Sequence, residues 1–161
     1  MKRKKITATI DGISYKIDSY EHTTEFGNRN KDTVAEFLKD SYEGNIDENY
    51  NLSNGYSYIF VTMTYTNNTD EQVEILRNAG AFYIINDDLE RLQVGDPGGI
   101  YIDNYWTEGK ENERYHYVLG AGESVTSEVG YIIQDEWMSE DSKYIYYLSL
   151  IHISEPTRQE A

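Results

Sequence analysis

The feature that most constrains the fold is the stretch YIFVTMTYTNNTDEQVEIL, residues 58–76. Its first half alternates between two sets of side chains, which are Ile59, Val61, Met63 and Tyr65 on one face, and Phe60, Thr62, Thr64 and Thr66 on the other. This alternation, with β-branched and aromatic residues on both faces, is typical of a β-strand. Residues 67–70 predict a turn, because Asn and Asp tolerate left-handed backbone and bond their own main chain. Residues 72–76 predict a strand that returns from it.

A hairpin is predicted near the N-terminus. Residues 6–10 and 13–17 are two runs rich in β-branched residues, and Asp11-Gly12 stands between them. A two-residue type I′ turn needs positive φ angles at both central positions, and Asp-Gly is a dipeptide that adopts them readily. The two runs are therefore expected to pair with each other.

One helix is predicted, at residues 33–41. Thr33 and Glu36 have the spacing of a capping box, and the apolar residues that follow fall on one helical face. Residues 43–55 are rich in Asn, Gly and Asp, which predicts an exposed loop.

Short strands recur to the end of the chain. Further segments with strand composition, each bounded by turn residues, are 81–87, 89–94, 99–106, 114–119, 124–134 and 143–148. A chain of about eight to ten short strands with a single helix predicts an all-β sandwich or barrel in which the helix is an insertion.

The composition disfavours several classes of function. A chain of 161 residues fits one domain with a core of its own. With 29 acidic and 14 basic residues the net charge is −15, which repels phosphate backbones and anionic lipid, so neither nucleic-acid nor membrane-surface binding is expected. The absence of cysteine excludes disulfides, Cys-ligated zinc and thiol catalysis. No run of apolar residues is long enough for a transmembrane helix.

Three stretches in order carry a family resemblance: FVTMTYTNNTDEQVEI at 60–75, AFYIINDD at 81–88 and VLGAGESVTSEVGYII at 118–133. They resemble the bacterial extracellular immunoglobulin-like domains of the telokin-like, immunoprotective type, which are domains of unknown function in Firmicutes lipoproteins. The resemblance covers roughly residues 4–147. It implies an immunoglobulin-like antiparallel β-sandwich in an extracellular or envelope protein, and it implies no enzymatic activity.

The chain departs from the family pattern at two places. Ala121 stands where Pro is usual before Gly122-Glu123, and the helix and Asn-rich loop occupy residues 31–55. Asn67 and Gly122, which belong to the shared motifs, are turn residues with conformational and not catalytic roles.

The C-terminal stretch LSLIHISEPTR, residues 148–158, matches the translation of a sequencing-library adapter. We therefore expect a single immunoglobulin-like domain at 1–147 and a non-native tail at 148–161, as in a metagenomic fragment. At the other end, MKRKK resembles the start of a signal peptide, but ITATIDGISY follows in place of an apolar region. An export signal is accordingly expected upstream of Met1.

Acidic clusters are the candidates for acid–base catalysis. They are Asp87, Asp88 and Glu90, then Asp103 with Glu108, and then Asp135, Glu136, Glu140 and Asp141. Each cluster lies in a predicted loop of a very acidic chain, which favours solvated turns over a catalytic pair. His22 and His116 are far apart in the sequence and no Gly-x-Ser-x-Gly elbow is present, so a nucleophile triad has no support.

The loop IDENYNLSNG is the candidate for calcium binding. Its oxygen-bearing residues at alternate positions are Asp47, Asn49, Asn51 and Ser53. An EF-hand loop needs Gly at the sixth position and a bidentate Glu at the twelfth, where this chain has Leu52 and Tyr58. A solvated loop without metal is favoured, and no cofactor is expected elsewhere.

An aromatic stretch is the candidate for ligand binding. Its rings are Tyr101, Tyr105, Trp106, Tyr115 and Tyr117, around an acidic loop. Flat rings beside carboxylates suit a sugar, which stacks on the rings and donates its hydroxyls. The alternation of strands would turn at least half of these rings into the core, so core packing is favoured over a glycan site.

Three functions of different classes remain. The leading prediction is a non-enzymatic extracellular module that binds an unknown protein at the cell surface or spaces other parts of its parent protein. A carbohydrate-binding module built on the aromatic stretch is second, and a hydrolase with an acidic cleft is third.

Overall fold

The computed structural model of the chain describes residues 7–34, 37–77, 80–85, 91–94, 99–103, 115–137 and 143–148. The elements in chain order are β1 (Thr7–Ile10), β2 (Ile13–Thr23), α1 (Leu38–Ser41), β3 (Tyr56–Asn67), β4 (Val73–Leu76), β5 (Gly80–Ile85), β6 (Arg91–Val94), β7 (Tyr101–Ile102), β8 (His116–Leu119), β9 (Ser124–Gln134) and β10 (Lys143–Leu148). Short 3₁₀ turns lie at Lys31–Thr33 and Asp135–Trp137. Among these residues no helix has the length and apolar character that crossing a membrane requires.

The strands of the described residues form three antiparallel sheets. The largest has the order β1-β2-β3-β9-β7, and the other two are β4-β8 and β10-β5-β6. The pair β4-β8 packs against one face of the five-stranded sheet, because Ile75 and Leu119 share a buried cluster with its central strands. The predicted all-β fold, an antiparallel sandwich, is thus confirmed.

The predicted N-terminal hairpin is confirmed in its register and its turn. Ile10 faces Ile13 across the β1–β2 pair. Asp11 and Gly12 have φ angles of 54° and 82°, as a type I′ turn requires. A Cβ atom at position 12 would lie 2.5 Å from Thr69 Cγ2, so this turn also needs glycine for lack of space.

The alternation of β3 places two sets of side chains on opposite faces, as predicted. One set enters a core between the five-stranded sheet and β4-β8, which we call the inner core. The buried members of the inner core are Ile13, Tyr15, Ile59, Val61, Met63, Tyr65, Ile75, Ile102, Leu119, Val129, Tyr131 and Ile133. Toward its C-terminal end the opposite set is half-buried threonine. The strand therefore has one buried and one polar face there.

A second core lies on the opposite face of the same sheet, at the N-terminal half of β3. This outer core consists of Phe26, Val34, Leu38, Leu52, Tyr58, Phe60, Ile100, Tyr101 and Ile132. Four of these residues belong to the segment 24–55, between β2 and β3, which we call the insertion. Part of the predicted exposed loop is therefore core, since Leu52 is buried and forms an isolated bridge with Ile46.

The strand predicted after the turn at 67–70 exists, but it does not pair with β3. Val73–Leu76 pairs with β8, whereas β3 lies between β2 and β9. The chain after Asn67 therefore crosses from one sheet of the sandwich to the other. The local sequence predicted the turn correctly, but the partner of the strand depends on residues at least 40 positions away.

The helix predicted at 33–41 is wrong in its extent, because among the described residues of that range, 33–34 and 37–41, the α-helix covers Leu38–Ser41. Thr33 ends a 3₁₀ turn, and its hydroxyl donates to Asn30 O at 3.0 Å rather than capping the helix. Val34 is extended and bridges to Tyr101 at the edge of β7. Pairing with the sheet and burial of Val34 outweigh the local helix signal.

Candidate functional site

The structure divides the predicted aromatic site between two cores. Tyr101 lies in the outer core, 2% exposed, with its ring centroid 5.4 Å from that of Phe26 and 5.7 Å from that of Phe60. Tyr115 and Tyr117 pack against the inner core and are half-buried. The five-stranded sheet lies between the two groups, so they do not form one surface. Tyr105 and Trp106 lie outside the described residues.

Tyr101 is a packing residue in this fold. Its neighbour Ile102 enters the inner core, so the alternation of β7 turns the Tyr101 ring to the opposite face. Burial raises the pKa of Tyr101, and the nearby charges of Glu128 and Asp103 raise it further. The ring is therefore held as a neutral phenol among other aromatic rings.

Tyr115 and Tyr117 lie beside a buried arginine that the sequence analysis missed. Arg77 follows β4 and is 1% exposed. Its backbone N–H donates to Tyr115 O at 2.8 Å, and its guanidinium carbon is 4.9 Å from the centroid of the Tyr117 ring. Its Nη1 donates to Ser127 Oγ at 2.8 Å. Arg77 thus spans from β8 to β9, that is, from one sheet to the other.

A sequence signal for this burial did exist. Extending the alternation of β4 by one step places Arg77 on the same face as Val73 and Ile75, which pack in the inner core. Tyr65 also contacts this arginine, and its hydroxyl donates a hydrogen bond to Arg77 O at 2.8 Å.

Asp103, a carboxylate predicted as a catalytic candidate, lies within electrostatic range of this arginine. It is half-buried at the end of β7, and its backbone N–H donates to Glu128 O at 3.0 Å. Its Oδ1 atom is buried and accepts no hydrogen bond. Burial raises the pKa of Asp103, opposed by a backbone hydrogen bond from Glu128 and by the charge of Arg77. Glu108, its predicted neighbour, lies outside the described residues.

The pKa of Arg77 is lowered, whereas that of Asp103 is raised. Burial lowers the pKa of its guanidinium, while Tyr65 and the charge of Asp103 act to raise it. Ionisable groups with pKa values shifted by burial next to a charged partner mark candidate functional sites. We call Arg77, Asp103, Tyr115, Tyr117 and Ser127 the seam cluster, because they lie where the two sheets meet.

The other acidic and histidine candidates lie in separate places. Asp135 is exposed, accepts a hydrogen bond from Ser57 Oγ at 2.7 Å and lies 3.6 Å from His22 Nε2. His116 Nδ1 is 2.8 Å from Glu74 Oε2, on the β4-β8 pair. Glu136 is exposed. The remaining acidic candidates lie outside the described residues, and they are Asp87, Asp88, Glu90, Glu140 and Asp141.

The predicted calcium loop is held together by its own polar groups. Asp47 Oδ1 accepts the backbone N–H groups of Asn49 and Asn51, both at 2.8 Å, and Oδ2 accepts Asn51 Nδ2 at 3.3 Å. The backbone N–H of Asn51 is the main cause of a lowered pKa at Asp47. Asn51 Oδ1 in turn accepts the Phe26 N–H at 3.0 Å. Ser53 Oγ donates to Asn45 O at 3.4 Å. Within the described residues no three acidic or histidine side chains are grouped as metal ligands.

Asn67 joins two of the motifs that carry the family resemblance. Its side-chain Nδ2 donates to Glu71 O at 2.7 Å, Gly120 O at 3.0 Å and Leu119 O at 3.3 Å. Its main chain exchanges two hydrogen bonds with the facing turn, from Asn67 N to Glu123 O and from Gly122 N to Asn67 O, each 2.9 Å. The signature residues of these motifs therefore hold the turn after β3 against the turn before β9.

Comparisons with known proteins give structural likeness only. No protein-family model and no curated protein matches the sequence. An uncharacterized β-sandwich protein from Clostridium difficile is 13% identical, with a TM-score of 0.44 over 91% of this chain and 89% of that one. A functionally unknown protein from Listeria monocytogenes is 13% identical, with a TM-score of 0.49 over 87% of this chain and 69% of that one.

A candidate lipoprotein from Bacillus subtilis is 9% identical, with a TM-score of 0.44 over 91% of this chain and 39% of that one. At these identities and TM-scores, the fold assignment rests on the strand pairing described above. The chain is an antiparallel β-sandwich with an inserted segment that covers one end of its largest sheet.

Proposed function

We propose that this chain is a non-enzymatic, extracytoplasmic module of a bacterial envelope protein. Its immunoglobulin-like sandwich binds a protein partner at the cell surface or spaces other parts of its parent protein. The observation that carries the proposal is the role of Asn67 and Gly122. These motif residues build the fold by joining two turns, so the features shared with the extracellular immunoglobulin-like family are architectural.

The charged side chains of the described residues support a binding role over catalysis. Arg29 fastens the insertion and Asp47 closes its loop, so both charges serve the fold. The net charge of −15 disfavours nucleic acid and anionic lipid as partners. A protein partner remains the best match.

Recovery of the complete gene tests the location. We expect an export signal, with a lipobox cysteine, upstream of Met1. In cells that express the complete gene, protease added outside should digest this domain while a cytoplasmic marker survives. A gene without an export signal, or a domain protected until the cells are lysed, would contradict the extracytoplasmic assignment.

Photo-crosslinking distinguishes a binding module from a spacer. Phe37 is 48% exposed, so we expect a photoreactive phenylalanine analogue to be tolerated there. A single adduct of defined mass on intact cells indicates a partner at the insertion. The same analogue at Asp70, on the far turn, is the matched control. Absence of an adduct from both positions favours the spacer role.

A carbohydrate-binding function is the second candidate. The specific observation in its favour is that Tyr115 and Tyr117 are half-buried and that both, like Asp103, lie within electrostatic range of Arg77. Binding on a glycan array that is lost in Trp106→Ala would establish this function. Folded protein that retains no glycan would exclude it, and turnover of generic glycoside or ester substrates would instead support a hydrolase.

A further inference from the structure

Two lysines of the insertion lie beside one aromatic ring. Lys39 Nζ is 4.5 Å and Lys31 Nζ is 5.7 Å from the centroid of the Tyr50 ring. Because both distances end at the same centroid, the two ammonium nitrogens are no more than about 10 Å apart. Lys31 is exposed, and Lys39 and Tyr50 are half-buried. We call Lys31 and Lys39 the lysine pair.

Neither member of the lysine pair forms an ion pair with a carboxylate of the described residues. Asp47 lies within electrostatic range of Lys39, but its carboxylate accepts backbone N–H groups of its own loop. Three other basic side chains serve the fold, and they are Lys16 beside Asp18, Arg29 between Glu21 and Glu128, and Arg77 in the seam cluster. The lysine pair is therefore available to an anionic group from outside the chain.

The ring beside the lysine pair is held at a conformational cost. Tyr50 has a φ angle of 67°, a left-handed conformation that is uncommon for a bulky residue. Its N–H donates to Asp47 O at 3.0 Å, and its carbonyl accepts the Tyr58 hydroxyl at 2.6 Å. Its ring centroid lies 5.4 Å from that of Phe26 in the outer core. Backbone strain that the surrounding contacts maintain is concentrated where proteins hold ligands.

We propose that the lysine pair and Tyr50 bind an acidic segment of a partner protein, an inference that rests on the binding role proposed above. In an extended segment, residues two positions apart point to the same side and lie about 7 Å apart. Carboxylates at two such positions can each contact one ammonium group, while the aliphatic part of the segment packs on the Tyr50 ring. Phe37, two residues before Lys39, is 48% exposed and offers the same partner an apolar contact.

A short acidic segment suits this surface better than a densely charged polymer does. The chain has a net charge of −15, which repels nucleic acids and other polyanions at long range. A segment that carries two carboxylates among apolar residues meets much less of this repulsion. Each lysine presents a compact point charge, which matches two separate carboxylates.

Titration of the isotope-labelled full chain with a synthetic peptide, followed by NMR, tests the site. The peptide carries Glu at two alternate positions among apolar residues, and the control peptide has Gln at both. We expect the amide signals of Lys31, Lys39 and Tyr50 to shift with the Glu peptide only, and that of Asp70, in a distant turn, to stay unchanged. Equal shifts with the two peptides, or no shift with either, would refute the proposal.

Substitution of each lysine separates the local contact from the net charge. Lys31→Gln and Lys39→Gln should each weaken binding of the Glu peptide about two- to fivefold, as the loss of an exposed ion pair does. Lys16→Gln is the matched control, because it changes the net charge equally at a lysine that already pairs with Asp18. It should leave the affinity unchanged, and equal losses in the three variants would refute the site. Binding of an oligosaccharide of uronic acids in place of the Glu peptide would overturn the assignment to a protein segment.

Photo-crosslinking at Phe37 distinguishes the failure of this inference from the failure of the proposed function. On intact cells, the yield of the adduct should fall in the double variant Lys31→Gln/Lys39→Gln. An adduct with unchanged yield would show that the partner does not use the lysine pair, although the binding role stands. Absence of an adduct from the parent chain would count against the binding role itself, and with it against this inference.

Discussion

Asn67 shows how a single amide can determine the course of a chain. It is 0% exposed, it donates to carbonyls of two different turns, and its Oδ1 accepts the N–H and the hydroxyl of Thr69 at 2.9 and 2.6 Å. Only an amide can donate and accept in this way at one buried position. The side chain therefore turns β3 toward the second sheet and fastens that turn to Gly120.

We predict that Asn67→Ala lowers the free energy of unfolding by about 3 kcal/mol, because several buried carbonyls and an N–H lose their partner together. Asn67→Asp should be at least as damaging at neutral pH, since a carboxylate cannot donate to carbonyls. Urea denaturation with equal m-values measures both.

The neighbouring Asn68→Ala is the matched control for Asn67. Asn68 is exposed and its Nδ2 donates to Ser14 Oγ at 2.7 Å on the surface, so the loss should be below about 0.5 kcal/mol. Equal losses at the two positions would show that Asn67 acts only through local turn preference.

Gly130 is required for space and not for backbone freedom. A Cβ atom there would lie 2.9 Å from Phe60 Cε1 and 3.1 Å from Tyr101 Cβ. Gly130→Ala should therefore cost about 1–3 kcal/mol through overpacking of the outer core.

A double-mutant cycle checks the cause of the Gly130 effect. Phe60→Leu removes the ring edge, so Gly130→Ala should cost less in the Phe60→Leu background than in the parent. An equal cost in both backgrounds would assign the effect to the backbone of β9.

At the scale of elements, Arg29 fastens the insertion to the sheet. Its Nε and Nη2 donate to the Glu128 carboxylate at 2.8 and 3.0 Å, and Nη2 also donates to Glu21 Oε1 at 2.7 Å. Its guanidinium carbon lies 3.5 Å from the centroid of the Phe60 ring. A bidentate pair that also stacks on an aromatic ring is a geometry that lysine cannot reproduce.

We predict that Arg29→Lys loosens the insertion while leaving the sheet intact, at a cost of about 1–2 kcal/mol. Hydrogen exchange should accelerate at the Leu52 N–H, which donates to Thr24 O, and at the Phe26 N–H. Amides of β3 and β9 should keep their protection.

The exposed pair of Lys16 and Asp18, 3.5 Å apart, provides the control for Arg29. Lys16→Ala should change stability by less than about 0.5 kcal/mol, because exposed ion pairs contribute little. Uniform acceleration in Arg29→Lys, reaching β3 and β9, would show that the insertion and the sheet unfold as one unit.

The elements differ in how far the sequence could predict them. The alternation of β3 and the Asp11-Gly12 turn are encoded within a few residues, so both were predicted with their correct geometry. The length of the helix was overestimated, because the bridge between Val34 and Tyr101 is a long-range contact that competes with the local helix signal. The partner of β4 was missed for the same reason.

The candidate site was less predictable than the fold. Aromatic residues in one stretch of sequence suggested one surface, but the pleat of β7 places Tyr101 in the outer core, whereas Tyr115 and Tyr117 pack against the inner core. Burial of Arg77 was visible only as a continued alternation, which its charge obscured. The prediction of a sugar-binding platform stays a prediction.

At the scale of the whole molecule, the charge opposes compactness. The chain carries 29 acidic and 14 basic residues, and its isoelectric point is about 4.4. Folding brings these charges closer together, so their repulsion at neutral pH lowers stability. Attractive contacts such as that of Arg29 with Glu128 act against it, and salt screens both kinds.

We predict that the repulsion dominates, so added salt stabilises the protein at neutral pH. Raising NaCl from about 10 to about 150 mM shortens the screening length from about 30 to about 8 Å, and the unfolding midpoint at pH 7.5 should rise by about 2–4 °C. The same addition near pH 4.4 should have little effect, since the net charge there is close to zero. A midpoint that falls with salt at pH 7.5 would mean that the ion pairs around Arg29 outweigh the excess of carboxylates. In that case the Arg29→Lys variant should lose the salt dependence, which identifies the pair responsible.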